Sequence, residues 1–333
     1  YEIMPSLVGS EMCIRDSIAI VQKSIESIAY PQEPAELYNP IRYELSLGGK
    51  RIRPVLTLLA CELFDGDYRN ALDAATGIEI FHNFTLLHDD VMDKADIRRG
   101  KPTVHVKWNE NTAILSGDAM QIIAFMHMMK TPEKSRKAVC DVFLKTSLEI
   151  CEGQQYDMDF EARESVSVEE YLHMIELKTS ALLSGATVIG AIIGGAGEED
   201  CQRLYRFATE LGLAFQLQDD LLDSYGDERL GKAIGGDILE GKKTYLMVTA
   251  MSRSDEATRE VLRTAYRDAT LSDTEKIAKV KAIYDRLDVP RLTEQQIQVR
   301  FERALSILDT LSVDPARTGR MRDYAMSLMG RKN

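Results

Sequence analysis

Twice along this chain two adjacent aspartates are followed, one helical turn after the first, by a third: Asp89-Asp90-Val91-Met92-Asp93 and Asp219-Asp220-Leu221-Leu222-Asp223. Residues four apart share a helix face, so Asp89 pairs with Asp93 and Asp219 with Asp223. The surroundings are apolar: Phe84, Leu86, Leu87 and Val91 at the first motif, Phe215, Leu217, Leu221 and Leu222 at the second. Acids on a solvated face do not keep such company, so both pairs are predicted to look into a protein interior. Like charges on one face repel unless a cation lies between them, and a hard divalent cation takes oxygen ligands. Two acid clusters on different helices can face one another across a bundle, as carboxylates do in other helical metal sites. The natural packing is an all-α bundle of long helices around a shared interior.

The rest of the chain agrees. From Ile18 onward the apolar residues recur at helical period, strand-like alternation is rare, and Gly and Pro fall at intervals that read as helix ends. Helices are predicted near residues 18–29, 34–47, 52–64, 69–94, 112–130, 134–157, 168–194, 198–226, 241–252, 256–269, 273–287, 293–310 and 315–329. With no repeat or interdomain linker evident, residues 18–333 are taken as one catalytic domain. Residues 1–17 fit neither periodicity and resemble translated read-through of a sequencing adapter. They are set apart as a leader, non-native or disordered. Two longer connections, near 95–111 and 225–240, each follow an acid motif, and long loops often carry function.

Composition enters as exclusion. A chain of 333 residues with 44% hydrophobic content can bury a sizeable core. A net charge of -12 argues against a nucleic-acid partner, since phosphate backbones attract basic surfaces. Five cysteines, with no Cys-x-x-Cys among them, suit scattered thiols in a reducing compartment, hence a cytoplasmic protein. The most apolar stretch, Ala181 to Gly197, is rich in Gly and Ala and short for a membrane span. It reads as a tightly packed core helix.

Bases stand where an anion would need them. Arg98 and Arg99 follow the first acid motif, and paired arginines suit phosphate oxygens. Gly48-Gly49-Lys50-Arg51-Ile52-Arg53-Pro54 puts three bases after a diglycine, at a helix start where the dipole disfavours them. It lacks the spacing of a nucleotide-binding P-loop. A second glycine- and lysine-rich loop, Gly231 to Thr244, follows the second acid motif, and Lys178-Thr179 lies midway along a helix just before the small-residue run.

Occurring together and in order, these motifs are similar to those of the trans-isoprenyl diphosphate synthases, the polyprenyl synthetase family. The resemblance runs from about Ile18 to the C-terminus. It implies an all-α fold with a deep central cavity, and head-to-tail condensation of isopentenyl diphosphate onto an allylic diphosphate with Mg²⁺, three ions when the allylic diphosphate is bound, by a homodimer. It makes Asp89, Asp93 and Asp219 metal ligands, with Asp223 a weaker one acting through water. Lys50, Arg53, His82 and Arg99 match contacts to isopentenyl diphosphate. Arg98, Lys178, Lys232 and Lys242 match contacts to the allylic diphosphate. Thr179 and Gln216 match residues lining the reacting carbons, and Gln154 and Asp157 a supporting motif.

Chain length in this family is set four and five residues before the first aspartate, here Thr85 and Phe84. Thr85 is small and lies one turn below Asp89, while on an ideal helix Phe84 points roughly 140° away. The aromatic, with no insertion in the acid motif, resembles geranylgeranyl-type synthases, with farnesyl and longer products as alternatives. A terpene cyclase would not need Lys50 and Arg53, and a non-catalytic partner subunit would be expected to have lost aspartates. A calcium protein would carry an Asp-x-Asp-x-Asp-Gly loop, which is missing.

Overall fold

The computed structural model describes residues 5–64, 66–226, 234–268 and 270–329. They are helical almost throughout. In order come α1 (Pro5–Glu26), α2 (Ala35–Ser46), α3 (Ile52–Leu63), α4 (Leu72–Met92), a hairpin of β1 (Ile97–Arg98) and β2 (Lys101–Pro102), α5 (Val104–Lys107), α6 (Glu110–Met128) and α7 (Glu133–Ala162). There follow α8 (Val168–Ile175), a π-helical turn (Glu176–Ser180), α9 (Ala181–Gly194), α10 (Glu198–Tyr225), α11 (Gly236–Glu240) and α12 (Tyr245–Arg253). The chain continues with α13 (Glu256–Arg267), α14 (Asp273–Arg286), α15 (Val289–Leu308) and α16 (Gly319–Met329). The all-α expectation holds, and most predicted helices recur within a few residues. Two differ. Helix α1 begins at Pro5, so a helical backbone runs through most of the stretch set apart as a leader. The long helix predicted over 168–194 carries the π turn in its middle.

By its internal contacts the chain divides into two compact units. The first comprises residues 1–146, 185–205 and 311–324, the second 147–184, 206–310 and 325–333. In the first, α4 packs along α6, and Gly77 makes that approach close: a Cβ there would meet the Ala124 carbonyl oxygen at 2.8 Å. The C-terminal half of α9 lies against α3 in the same way, with Thr57 donating to the Ala186 carbonyl at 3.1 Å. That contact is why this stretch is built of Gly and Ala. In the second unit, α12 is packed with Leu262 and Ala265 of α13 and with Val280, Ile283 and Tyr284 of α14. Its other contacts, through Tyr245 and Val248, run to Tyr171, Met174 and Ile175 of α8 and Leu213 and Leu217 of α10.

One helical run, Val168–Gly194, is long and apolar enough to cross a membrane, so shortness does not exclude it. Burial decides instead: 72% of its apolar window is covered by the rest of the chain, the state of a core helix.

Candidate active site

In the first unit the chain around the diglycine turns sharply. Gly48 and Gly49 have φ of 82° and 147°, and Arg51, at the start of α3, sits in the left-handed region at 51°. The diglycine is shaped for close approach as well as for bending. A Cβ on Gly49 would meet the guanidinium of Arg99 at 3.0 Å, and Arg99 donates to the Gly48 carbonyl. Arg99 arrives there from the hairpin, whose turn residues Arg99 and Gly100 have φ of 52° and 74°. Positive φ at both central positions is what the type I′ form of a two-residue hairpin turn requires. Arg51 itself is buried, paired with Glu79 at 2.5 Å and with Gln22 at 3.0 and 3.2 Å.

Arg53 and His82 meet nearby. The Arg53 guanidinium donates to Nε2 of His82 at 3.1 Å. Burial, reinforced by Arg53, Arg99, Arg98 and Arg51, holds this imidazole well below its ordinary pKa, so it stays neutral. Burial also lowers Arg53, to about 10, which leaves it a cation at neutral pH. Three of the predicted anion contacts, Arg53, His82 and Arg99, are thus brought together, and Lys50 is exposed directly after the diglycine. A cluster of cations with a neutral hydrogen-bonding imidazole is built to take a diphosphate.

The acid motif closes α4. Asp89 is half-buried and Asp93, the C-cap, is exposed, its amide donating to the Asp89 carbonyl at 2.8 Å. Carboxylates one turn apart on one face, with oxygen-only donors and access to solvent, fit Mg²⁺. No three His, Cys, Asp or Glu side chains converge on a ready-made cage among the described residues, so the carboxylates need an outside ligand to complete a metal's shell. The middle aspartate does something else. Asp90 is buried and accepts from Nε of Arg98 at 2.8 Å on both oxygens and from Nη2 at 2.6 Å. It fixes the direction of a predicted diphosphate contact.

The second unit repeats this division of labour. Asp219 is exposed, whereas Asp220 is buried. Asp220 accepts from the Tyr171 hydroxyl at 2.5 Å, the Tyr245 amide at 3.0 Å and the Gln216 amide at 3.0 Å. Burial pushes its carboxyl up to about 6 against those three donors. Gln216 is thereby oriented, and its oxygen accepts from Thr179 at 3.0 Å. Thr179 and Lys178 sit in the π turn, a geometry frequent at functional sites. Lys178 is held by Asp157 at 2.6 Å. Gly153 lets α7 reach this turn, since a Cβ there would lie 2.3 Å from the Lys178 amide nitrogen.

Asp223 accepts the amide of Asp237 at 3.1 Å, so it anchors the start of α11. Asp237 is pushed up to about 7, first by burial and then by Asp223 and Asp220. Lys242 is exposed, with Nζ 3.1 Å from Glu240 and 3.9 Å from Asp237. Lys232 lies outside the described residues. Phe84 is buried, its ring 5.2 Å from that of Phe81 and 4.7 Å, edge-on, from His88. Thr85 turns its hydroxyl back to the His82 carbonyl at 2.8 Å.

The sequence reading missed Asp90, Asp220, Tyr171 and Asp237. For the first two a signal existed. Adjacent helical residues do not share a face, so the second aspartate of each doublet had to have other work than the first.

The chain is similar to proteins of known family. The polyprenyl synthetase family matches residues 34–287. A geranylgeranyl diphosphate synthase of Methanosarcina mazei is 43% identical over 268 residues, 77% of this chain and 83% of that one. A geranylfarnesyl diphosphate synthase of Natronomonas pharaonis is 40% identical over 266 residues, 74% of this chain and 78% of that one. The crystal structure of a geranylgeranyl pyrophosphate synthetase from Pyrococcus horikoshii superposes with a TM-score of 0.91 at 31% identity, covering 98% of this chain and 100% of that one. The chain belongs to the polyprenyl synthetase family and is a prenyl diphosphate synthase.

Proposed function

We propose that this enzyme condenses isopentenyl diphosphate head-to-tail with allylic diphosphates and releases geranylgeranyl diphosphate. The observation that carries the two-substrate reading is the convergence of Arg53, His82 and Arg99 on one locus of the first unit. A cyclase, which takes a single diphosphate, has no use for it. Lys50, Arg53, His82 and Arg99 hold isopentenyl diphosphate there. Arg98, Lys178, Lys232 and Lys242 hold the allylic diphosphate. Asp89, Asp93 and Asp219 hold Mg²⁺, three ions with the allylic diphosphate bound, and Asp223 assists through water. Mg²⁺ when bound supplies Lewis-acid stabilisation of the leaving diphosphate.

The chain's residues do the rest. The allylic C–O bond breaks and its electron pair leaves with the diphosphate, whose charge Arg98 and the lysines offset. The isopentenyl double bond supplies the pair for the new C–C bond. Thr179 and Gln216, oriented through Asp220, present dipoles along the reacting carbons. A proton then leaves the adjacent carbon for the released diphosphate. Incubation with isopentenyl diphosphate, each allylic diphosphate and Mg²⁺, with products read by mass spectrometry, tests this. Absence of metal-dependent diphosphate release with every allylic substrate would sink it.

Product length rests on Phe84 as the floor, supported by its packing against Phe81 and His88. Phe84→Ala is expected to lengthen the product by about one isoprene unit, since the lost ring leaves a cavity the wall does not refill. An unchanged product mass would remove Phe84 from that role.

We also place the enzyme in the cytoplasm as a homodimer. Cys61, Cys140, Cys151 and Cys201 are free thiols, as a reducing compartment allows. In the first unit α6 leaves Leu115, Ile122 and Met126 exposed, with Met129 after it and Leu144 on the adjoining part of α7. The two helices are joined through Phe125 and Phe143, stacked at 6.4 Å. An apolar face of this kind suits a second copy of the chain. Sedimentation should give a dimer, and Ile122→Glu a monomer. A monomeric wild type would end this reading.

A further inference from the structure

Glu44, on α2, is the odd carboxylate of the first unit. It is wholly buried, and neither of its carboxylate oxygens has a hydrogen-bond partner among the described residues. A buried carboxylate ordinarily has donors around it. What surrounds this one is charge. Asp90 acts on it from α4, and Arg98 and Arg99 from the hairpin. The hairpin is brought over α2 by the neighbouring Tyr43, whose hydroxyl donates to the Pro102 carbonyl at 2.7 Å. Helices α5 and α6 also pack on α2; the contacts they bring are Lys107 over the Tyr43 ring and the Ser116 hydroxyl on the Leu37 carbonyl.

The two arginines are not equally placed. Arg98 already has Asp90 as a bidentate partner. Arg99 has no carboxylate in hydrogen-bond contact among the described residues; it donates to a backbone carbonyl, and the carboxylates that act on it through space are Glu44 and Glu79, of which Glu79 already holds Arg51. We propose that Glu44 is an internal counter-anion of Arg99, which opposes the isopentenyl diphosphate for that guanidinium and so sets how tightly the second substrate is held. The inference rests on the assignment of Arg99 to isopentenyl diphosphate above. The Glu44 carboxylate makes no hydrogen bond among the described residues, so its influence is electrostatic and an uncharged residue of the same shape removes it cleanly.

Burial, then Asp90, pushes the Glu44 carboxyl up to about 7 against the pull of Arg98 and Arg99. Its charge is therefore present above that pH and absent below it. Glu44→Gln should lower KM for isopentenyl diphosphate about fivefold at pH 8.5, the effect of one partly screened charge. At pH 6, where the wild-type residue is itself neutral, the ratio of the two KM values should fall to about one. Ionisation of the substrate is common to both enzymes and cancels in that ratio. KM for the allylic diphosphate should move little, because Asp90 already dominates Arg98.

Glu44→Leu is the second variant. It should show the same KM change and a raised Tm at pH 8.5, since removing an unpartnered buried carboxylate relieves a desolvation cost. Arg99→Ala is the control. If it raises KM for isopentenyl diphosphate while Glu44→Gln leaves KM unchanged at every pH, the counter-anion role is overturned and the site assignment stands. If Arg99→Ala leaves KM unchanged, the assignment falls and the proposal with it. A Glu44→Gln effect of the same size at pH 6 and 8.5, or a lowered Tm in Glu44→Leu, would mark a structural role and overturn the proposal.

Discussion

Asp89→Ala and Asp219→Ala are each expected to lose about a thousandfold or more in kcat, the several kcal/mol that metal-assisted charge neutralisation contributes to such a transition state. The reason lies in what these side chains are not doing. Asp219 is exposed and Asp89 half-buried, and neither fills a core position as Asp90 and Asp220 do. The loss should therefore come with little change in Tm, within about 0.5 kcal/mol of the wild-type stability. Diphosphate release at saturating Mg²⁺, run beside a thermal melt, checks both halves. A variant that keeps the wild-type rate would remove its aspartate from the metal site. One that unfolds would show the residue to be structural.

The second large effect is expected at Asp90. Removing its carboxylate leaves Arg98 without the partner that directs it, and breaking a mostly buried charged pair costs roughly 3 kcal/mol. Arg98 keeps some access to solvent, at 27% side-chain exposure, so part of that cost is relieved by water. Asp90→Ala should lower kcat/KM for the allylic substrate about a hundredfold and also lower Tm. The distinguishing test is a double-mutant cycle with Arg98→Ala. If Asp90 acts through Arg98, the double variant should be no worse than the poorer single variant. Additive losses would show Asp90 acting on substrate or metal by another route. Rescue of Asp90→Ala by excess Mg²⁺ would make it a ligand.

Much of this protein is legible in its primary structure because the relevant signals are local. Helical period marks nearly every element, since an amphipathic stretch announces its buried face within a few turns. The spacing of Asp89 to Asp93 is likewise a property of one helix. The diglycine before Lys50 announces a sharp turn, and the turn at Arg99 and Gly100 is of a kind two residues can set.

Partner choice is not local. Asp89 and Asp90 are the same residue type, one position apart. One is half-buried and the other is buried on Arg98, and only the packing of the hairpin over α2 and α4 separates them. The π turn at Lys178 has no period to betray it, because one wide turn leaves the apolar pattern on either side intact. Glu44 reads as an ordinary helical acid until α2 is packed and its carboxylate oxygens find no donor among the described residues.

Primary structure by itself determined the helices, the family and the residue types at the site, because each is written in spacing a few residues long. Tertiary structure alone decided which carboxylate is left open to solvent, which anchors an arginine and which stands buried with no donor among the described residues. Those roles depend on groups that arrive from other helices, and burial raises the cost of every charge that finds no partner.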